Sequence, residues 1–182
     1  MPQAPRLGHV LLQAQDERGW GDGVTGRLLG IARHARPRGV METIDQAAVG
    51  LQTGIAGDFR GAIKPGGKGR RQVTVMMLSD WQAAMAELGT PPLVWSDRRV
   101  NLLVDGVDLP RDKGVLLRVG SAVFEITGEC DPCSRMEAVA PGLKAVLTPG
   151  WRGGRTMRVI AAGDVAIGDC VAVEQQELRE AI

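Results

Sequence analysis

The stretch Gly128-Glu129-Cys130-Asp131-Pro132-Cys133-Ser134-Arg135-Met136 holds two of the chain's three cysteines. Thiols have the widest chemistry of any groups in this sequence, because a thiolate is both a nucleophile and a soft-metal ligand. The two cysteines leave a strand expected over 121–127 and enter a turn shaped by Gly128 and Pro132. Both sulfurs should therefore sit at a sheet end or a barrel rim, where rigid scaffolds display reactive groups. Several readings are open. A zinc knuckle needs two further ligands, and only Cys170, His9 and His34 are on offer, at unsuitable spacings. A thioredoxin-type dithiol belongs at a helix start within strand and helix alternation, whereas these surroundings are rich in strands. A single working thiolate at Cys133 would either ligate a soft metal or carry a sulfane sulfur as a persulfide. In the plainest reading both cysteines are small buried residues, as Cys170 is expected to be within the apolar run 165–173.

Other groups could meet a ligand beside the thiols. Arg60, Lys64, Lys68, Arg70 and Arg71 crowd a glycine-rich segment that contains no acid over 59–78. Exposed backbone N–H groups with lysine and arginine suit an anion such as phosphate. The spacing matches neither the Walker loop nor the dinucleotide fingerprint, and a solvated flexible loop would carry the same residues. A second glycine and arginine loop, Trp151-Arg152-Gly153-Gly154-Arg155, contributes Arg152 and Arg155. Arg99 and Asn101 lie two apart in an expected strand over 98–104 and so share one face. Turned inward they would need a polar partner; at an edge they would face water. His9 and His34 have no partner acid or nucleophile nearby in sequence, which reads as surface or internally satisfied histidine. There is no Gly-x-Ser-x-Gly elbow and no distinct pair of carboxylates.

The elements that must position these groups are mostly short strands. Runs over 24–32, 72–78, 98–104, 114–119, 121–127, 156–161 and 165–173 have strand character, with turns at Gly39, Asp105-Gly106, Gly120 and Gly163-Asp164. Residues 41–51 fit either a short helix or an irregular strand. Ser79 and Gln82 are spaced as a capping box that opens a helix through Leu88, stopped by Gly89. Pro91-Pro92 then breaks the chain. Short helical turns are expected over 134–139 and 143–147, separated by Pro141-Gly142. Many strands, glycine turns and few helices predict a mainly β protein, a closed or partly open barrel with a few short helices.

Length and composition set the outer limits. A chain of 182 residues makes one domain, read as a leader over 1–21, a domain over 22–174 and a polar tail over 175–182. The formal net charge of +1 gives no general attraction to nucleic acid or membrane. Aromatic residues make up only 3%, without tyrosine, so a base-stacking surface is not expected either. No apolar run approaches the roughly 18 residues needed to span a bilayer, and the short apolar patch before Gln13 is too brief for a secretory signal. These features predict a cytoplasmic protein, in which three cysteines argue for free, catalytic or metal-binding thiols rather than a disulfide framework.

Taken together, Gly57-Asp58 before the basic loop, Arg71-Gln72-Val73-Thr74, Arg99-x-Asn101-Leu102 followed by Gly106, Gly120, Thr127, Pro132-Cys133 and Gly168-Asp169 resemble the MOSC family. These domains are homologous to the C-terminal part of molybdenum cofactor sulfurase, and the resemblance runs over 24–173. It implies a barrel like that of pyruvate kinase's barrel domain and a pocket for molybdopterin-based molybdenum cofactor. The family's characteristic cysteine matches Cys133, which the resemblance makes the protein ligand to molybdenum. Arg99 and Asn101 would then line the pocket beside Asp58, and the loops bearing Lys68, Arg70, Arg71, Arg152 and Arg155 would meet the cofactor's phosphate. Relatives such as the amidoxime reducing component reduce N-hydroxylated compounds, and other members are proposed to pass sulfur through a persulfide on the same cysteine. A third possibility under the same resemblance is a non-catalytic cofactor carrier or insertion module. The expected partners are a small-molecule substrate and an external electron donor or desulfurase protein, with no pyridoxal phosphate in this chain. The sequence departs from the family's pattern in two ways: where many relatives carry histidine after Gly-Asp, Phe59-Arg60 stand here, and neither the desulfurase domain of the full sulfurase nor the extra N-terminal domain of the amidoxime reductases is expected in it.

Overall fold

Alternation along the first strand shows how the sequence builds this fold. In β1 (Thr25–Arg33), Thr25, Arg27 and Leu29 face outward while Gly26, Leu28 and Gly30 are buried, the period of two that marks a half-buried strand. The computed structural model describes residues 25–89 and 93–174. The expected leader, His9, the Pro91-Pro92 break and the polar tail lie outside the described residues.

After β1 come β2 (Glu42–Ile44), β3 (Gln46–Gly50), β4 (Gly54–Ile55), β5 (Val73–Met77) and helix α1 (Leu78–Leu88). A 3₁₀ turn over Trp95–Arg98 leads to β6 (Leu102–Asp105), β7 (Leu116–Val119) and β8 (Ala122–Glu129). The chain continues through α2 (Arg135–Val139), α3 (Leu143–Leu147), β9 (Arg155–Ala161), β10 (Gly163–Ala166) and β11 (Cys170–Glu174). Seven strands in the order β11-β7-β8-β9-β5-β6-β1 close into a barrel when β1 also pairs with β11, through Thr25 with Ala172 and Arg27 with Cys170. Closure removes the free edges that an open sheet would expose. β2 extends β1 outside the ring, and β10-β3-β4 form a small separate sheet. The expectation of a mainly β barrel with a few short helices holds.

Two apolar clusters account for the arrangement of the site. Leu28, Ile31, Val75, Leu102, Val104, Leu117, Phe124, Ile126 and Met157 fill the barrel interior. The outward-facing alternates of the same strands, Met76 and Leu103, join Trp81, Ala84, Met136, Leu143 and Leu147 in a second cluster. Strand alternation thus gives β5 and β6 two apolar faces, and the outer one seats all three helices on the barrel wall. Met136, fully buried in that outer cluster, anchors α2 three residues after Cys133.

Four local expectations are corrected. Helix α1 starts at Leu78, with Met77 at the cap position and no side-chain cap bond. Ser79 therefore lies inside the first turn: β5 runs straight into the helix, and Leu78 packs on the outer cluster. Gly89 does end the helix in the left-handed conformation, at φ 62°. Residues 98–101 are not strand. The Asp97 carboxylate accepts the Val94 N–H at 3.0 Å and holds a 3₁₀ turn, after which Arg99 adopts φ 63°. Arg99 and Asn101 consequently do not share a strand face. The run 165–173 is two strands, divided where Asp169 Oδ2 accepts the Ala166 N–H at 2.8 Å, and Gly163-Asp164 belong to β10 rather than to a turn. Residues 41–51, ambiguous in sequence, form β2 and β3 without a helix.

Candidate functional site

The cysteine loop leaves β8 and is pinned from three sides. The Cys130 N–H donates to the Gly154 carbonyl at 2.9 Å, Arg98 Nη2 donates to the Cys130 carbonyl at 2.6 Å, and the Met136 N–H donates to the Cys133 carbonyl at 2.9 Å. Gly153 is pressed against this loop so closely that a Cβ there would stand 2.7 Å from the Cys130 oxygen and 3.3 Å from Pro132 Cδ. The second glycine and arginine loop therefore serves the cysteine loop as a backbone clamp, which only a residue without a side chain permits.

The two thiols end up in different surroundings. Cys133 is exposed, whereas Cys130 is fully buried. Burial matches the plain reading of Cys130, but its sulfur has charged neighbours: Arg71 Nη2 and Arg98 Nη2 each approach it at 3.4 Å. Cys170 is only partly buried, so it is not the core residue the sequence suggested. Burial acts to raise the Cys133 pKa. The Arg135 backbone N–H and the Arg135 and Arg98 guanidinium charges act in the opposite direction, and the balance leaves the thiol below its ordinary value.

Arg98 and Arg99 close this side of the site. Arg98 is 3% exposed, and its Nε has no hydrogen-bond partner. Arg99 Nη2 is likewise buried without a partner. Burial, together with the charges of Arg135 and Arg60, works against the Arg99 guanidinium, while Asp58 and the Cys133 thiolate favour it. Unpartnered guanidinium nitrogens among like charges are costly unless an anion meets them.

Beside these groups lies a cavity of about 520 Å³ lined by His34, Pro37, Arg38, Phe59, Arg60, Ala62, Lys64 and Arg135. No acid lines it. Arg135 belongs to both places, since it lines the cavity and also favours the Cys133 thiolate. Asp58 is buried behind the wall, where its carboxylate accepts the His34 N–H at 3.0 Å and the Arg60 N–H at 3.3 Å. That carboxylate shapes the turn carrying Phe59 and Arg60.

Several residues singled out in the sequence have other engagements. Asn101 Oδ1 accepts both the N–H and the hydroxyl of Thr74 at 3.0 Å, and its Nδ2 donates to the Ala32 carbonyl at 3.1 Å. Its side chain joins β1 to β5 beneath the site. Arg155 is 1% exposed and donates to the Leu109 carbonyl at 2.6 Å, to the Pro110 carbonyl at 3.2 Å and to Asp80 at 3.3 Å. Arg152 pairs with Glu87 at 2.8 Å. Lys68 and Arg70 are exposed and do not line the cavity, and Arg71 reaches Cys130 instead. Spacing along the chain missed Arg98, Arg135, Arg38 and His34. Arg98 was hidden by the assumed strand, and His34 by having its acid, Asp58, 24 residues away.

Among the described residues no three His, Cys, Asp or Glu side chains converge as a metal site. A metal here would depend on one protein thiolate and on further ligands carried by a cofactor. An anionic cofactor fits what is present: an exposed thiol favoured as thiolate, a guanidinium nitrogen buried without a partner, and a cavity lined by four basic residues, Arg38, Arg60, Lys64 and Arg135. No described helix is long and apolar enough to cross a membrane.

A family model described as the MOSC domain matches residues 57–172. No curated protein matches the chain. Among solved structures, the YuaD protein from Bacillus subtilis is similar with a TM-score of 0.68 and 20% identity, covering 82% of this chain and 95% of that one. YiiM from Escherichia coli is similar with a TM-score of 0.61 and 15% identity, covering 82% of this chain and 70% of that one. YiiM from Geobacillus stearothermophilus gives 0.57 and 14%, covering 86% and 77%. At these identities the likeness is one of fold.

Proposed function

This chain belongs to the MOSC domain family, a family associated with molybdenum cofactor, and we propose that it binds that cofactor at Cys133 and reduces N-hydroxylated small molecules with electrons from an external donor. The observation that carries this reading is the exposed Cys133 thiol, favoured as a thiolate by the Arg135 N–H and by the Arg135 and Arg98 guanidinium groups beside a cavity without acids. When bound, the cofactor supplies the metal redox chemistry that no side chain offers.

The chain's own residues bind and orient. Cys133 offers one soft thiolate. Arg99, with an unpartnered buried nitrogen, and Arg135, Arg60 and Lys64 on the cavity wall would hold the cofactor's phosphate and other anionic groups. Asp58 keeps Arg60 in place by accepting its N–H, which makes it a positioning residue. Phe59, about half exposed at the cavity wall, gives a small organic substrate an apolar surface. The net change in a substrate is cleavage of its N–O bond, with two electrons and two protons taken up and water released.

The experiment is turnover of benzamidoxime by metal-loaded protein with a chemical or flavoprotein electron donor shown to reduce it. Stoichiometric benzamidine formation, abolished in Cys133→Ala, is the expected result. No turnover by loaded and reducible protein would overturn the reductase reading. The exposed thiolate suits one rival, sulfur carriage. A labile adduct of about 32 Da on Cys133 after incubation with a desulfurase, in protein that does not turn over amidoxime, would favour it.

A further inference from the structure

His34 stands at the end of β1 and is stitched to the 58–59 turn: its N–H donates to Asp58 Oδ1 at 3.0 Å, and its carbonyl accepts the Phe59 N–H at 2.8 Å. The residue is only 6% exposed, yet it lines the cavity, and its ring stands 6.3 Å, centroid to centroid, from that of Phe59 on the same wall. Nδ1 is buried and lies 3.2 Å from Asp58 Oδ1. The contact is an electrostatic one rather than an aligned hydrogen bond, and the same oxygen also accepts the His34 N–H. A proton on Nδ1 is thereby favoured by the carboxylate, which leaves Nε2 as the nitrogen for the cavity.

The other polar side chains on this wall, Arg38, Arg60, Lys64 and Arg135, can only donate hydrogen bonds. His34 can accept one. Burial is the largest influence on its ring and lowers its pKa, as do the charges of Arg99 and Arg60, against the opposing pull of Asp58. An imidazole held below its ordinary value is an acceptor at neutral pH.

We propose that His34 Nε2 is the hydrogen-bond acceptor that selects the substrate, favouring N-oxygenated compounds with an O–H or N–H at the reacting nitrogen, such as amidoximes and hydroxylamines, over tertiary N-oxides. The inference rests on the reductase reading for its substrate class. A tertiary N-oxide brings no donor, so it leaves the imidazole acceptor unmet in a desolvated wall.

The test has two arms. The chain has two histidines, so ¹⁵N spectra of the imidazole rings are simple, and His34→Phe assigns them. Adding benzamidoxime to the full-length protein should shift the His34 ring signals, while pyridine N-oxide should not. Titration should place the ring below ordinary histidine, lower still in Asp58→Asn and higher in Arg99→Gln. In loaded enzyme, His34→Phe should raise KM for benzamidoxime about tenfold, the loss of one hydrogen bond, and should lower KM for the N-oxide, since the unmet acceptor is gone. His34→Gln, which keeps an acceptor, should restore most of the difference and serves as the folding control.

An unshifted ring in the wild type, or equal KM changes for both substrates, would overturn the proposal. So would loss of bound pterin in His34→Phe at unchanged KM, which would assign the acceptor to the cofactor. Absence of molybdenum or of turnover would instead sink the reductase reading, and the ring spectra would still report whether His34 recognises the donor group.

Discussion

At the scale of single residues, Cys133 is set apart from Cys130 by exposure and by its neighbours' charge. Burial disfavours its thiolate, but the Arg135 N–H and the guanidinium groups of Arg135 and Arg98 outweigh it and bring the pKa below the ordinary thiol value. The fraction of thiolate at neutral pH is correspondingly larger than in a free cysteine. The rate of Cys133 alkylation by iodoacetamide, followed by mass spectrometry against pH, should have its midpoint below that of a free thiol. Arg135→Gln removes a charge that lowers the pKa, so it should move the midpoint upward. Cys130, fully buried, should stay unmodified in the folded protein. A Cys133 midpoint at or above the free-thiol value would contradict the electrostatic account of the site. Residue type and local sequence sufficed to find Cys133. They could not find Arg98 or His34, whose importance comes from groups 32 and 24 positions away.

At the scale of elements, the site is held by contacts that look functional in sequence and act in the frame. The family resemblance places Arg155 among the residues that meet the cofactor's phosphate, yet it lies inside the protein and fastens β9 to the 109–110 segment and to Asp80 in α1. Burial pushes the Arg155 pKa down and the Asp80 pKa up, against their mutual attraction. Each ion is therefore costly without the other, and removing one should do more harm than the pair does good. Arg155→Met should lower unfolding stability in urea by about 3 kcal/mol, while the folded fraction keeps its cofactor. Full stability combined with loss of cofactor would return Arg155 to the binding site. Asn101 carries the same lesson: of the two orientations open in sequence it takes the buried one, and the partners that burial requires are Thr74 and Ala32 inside the protein. The misread strand at 98–101 had a local cause, since Asp97 holds a turn that apolar patterning does not reveal.

At the scale of the whole molecule, barrel closure brings together positions that the chain keeps far apart. His34 at the end of β1, the 58–64 loop, Arg99 before β6 and the cysteine loop after β8 meet around one basic site because the β5–β6 pair is parallel and the crossover between them, which carries α1, lies on the outside wall. The barrel class was legible from short strands and glycine turns, as were the small helices at α2 and α3. Between a closed and a partly open barrel the sequence did not decide, because the β1 and β11 pairing joins the two ends of the described chain and depends on no local signal. The account's central claim, that the Cys133 thiolate and its arginines hold molybdenum cofactor, is tested most directly by metal and pterin analysis of freshly purified protein from a cofactor-competent host. The account predicts about one molybdenum and one pterin per chain in the wild type, reduced at least tenfold in both Cys133→Ala and Arg99→Met at unchanged folding. Wild-type protein without molybdenum, or Cys133→Ala retaining a full complement, would contradict it.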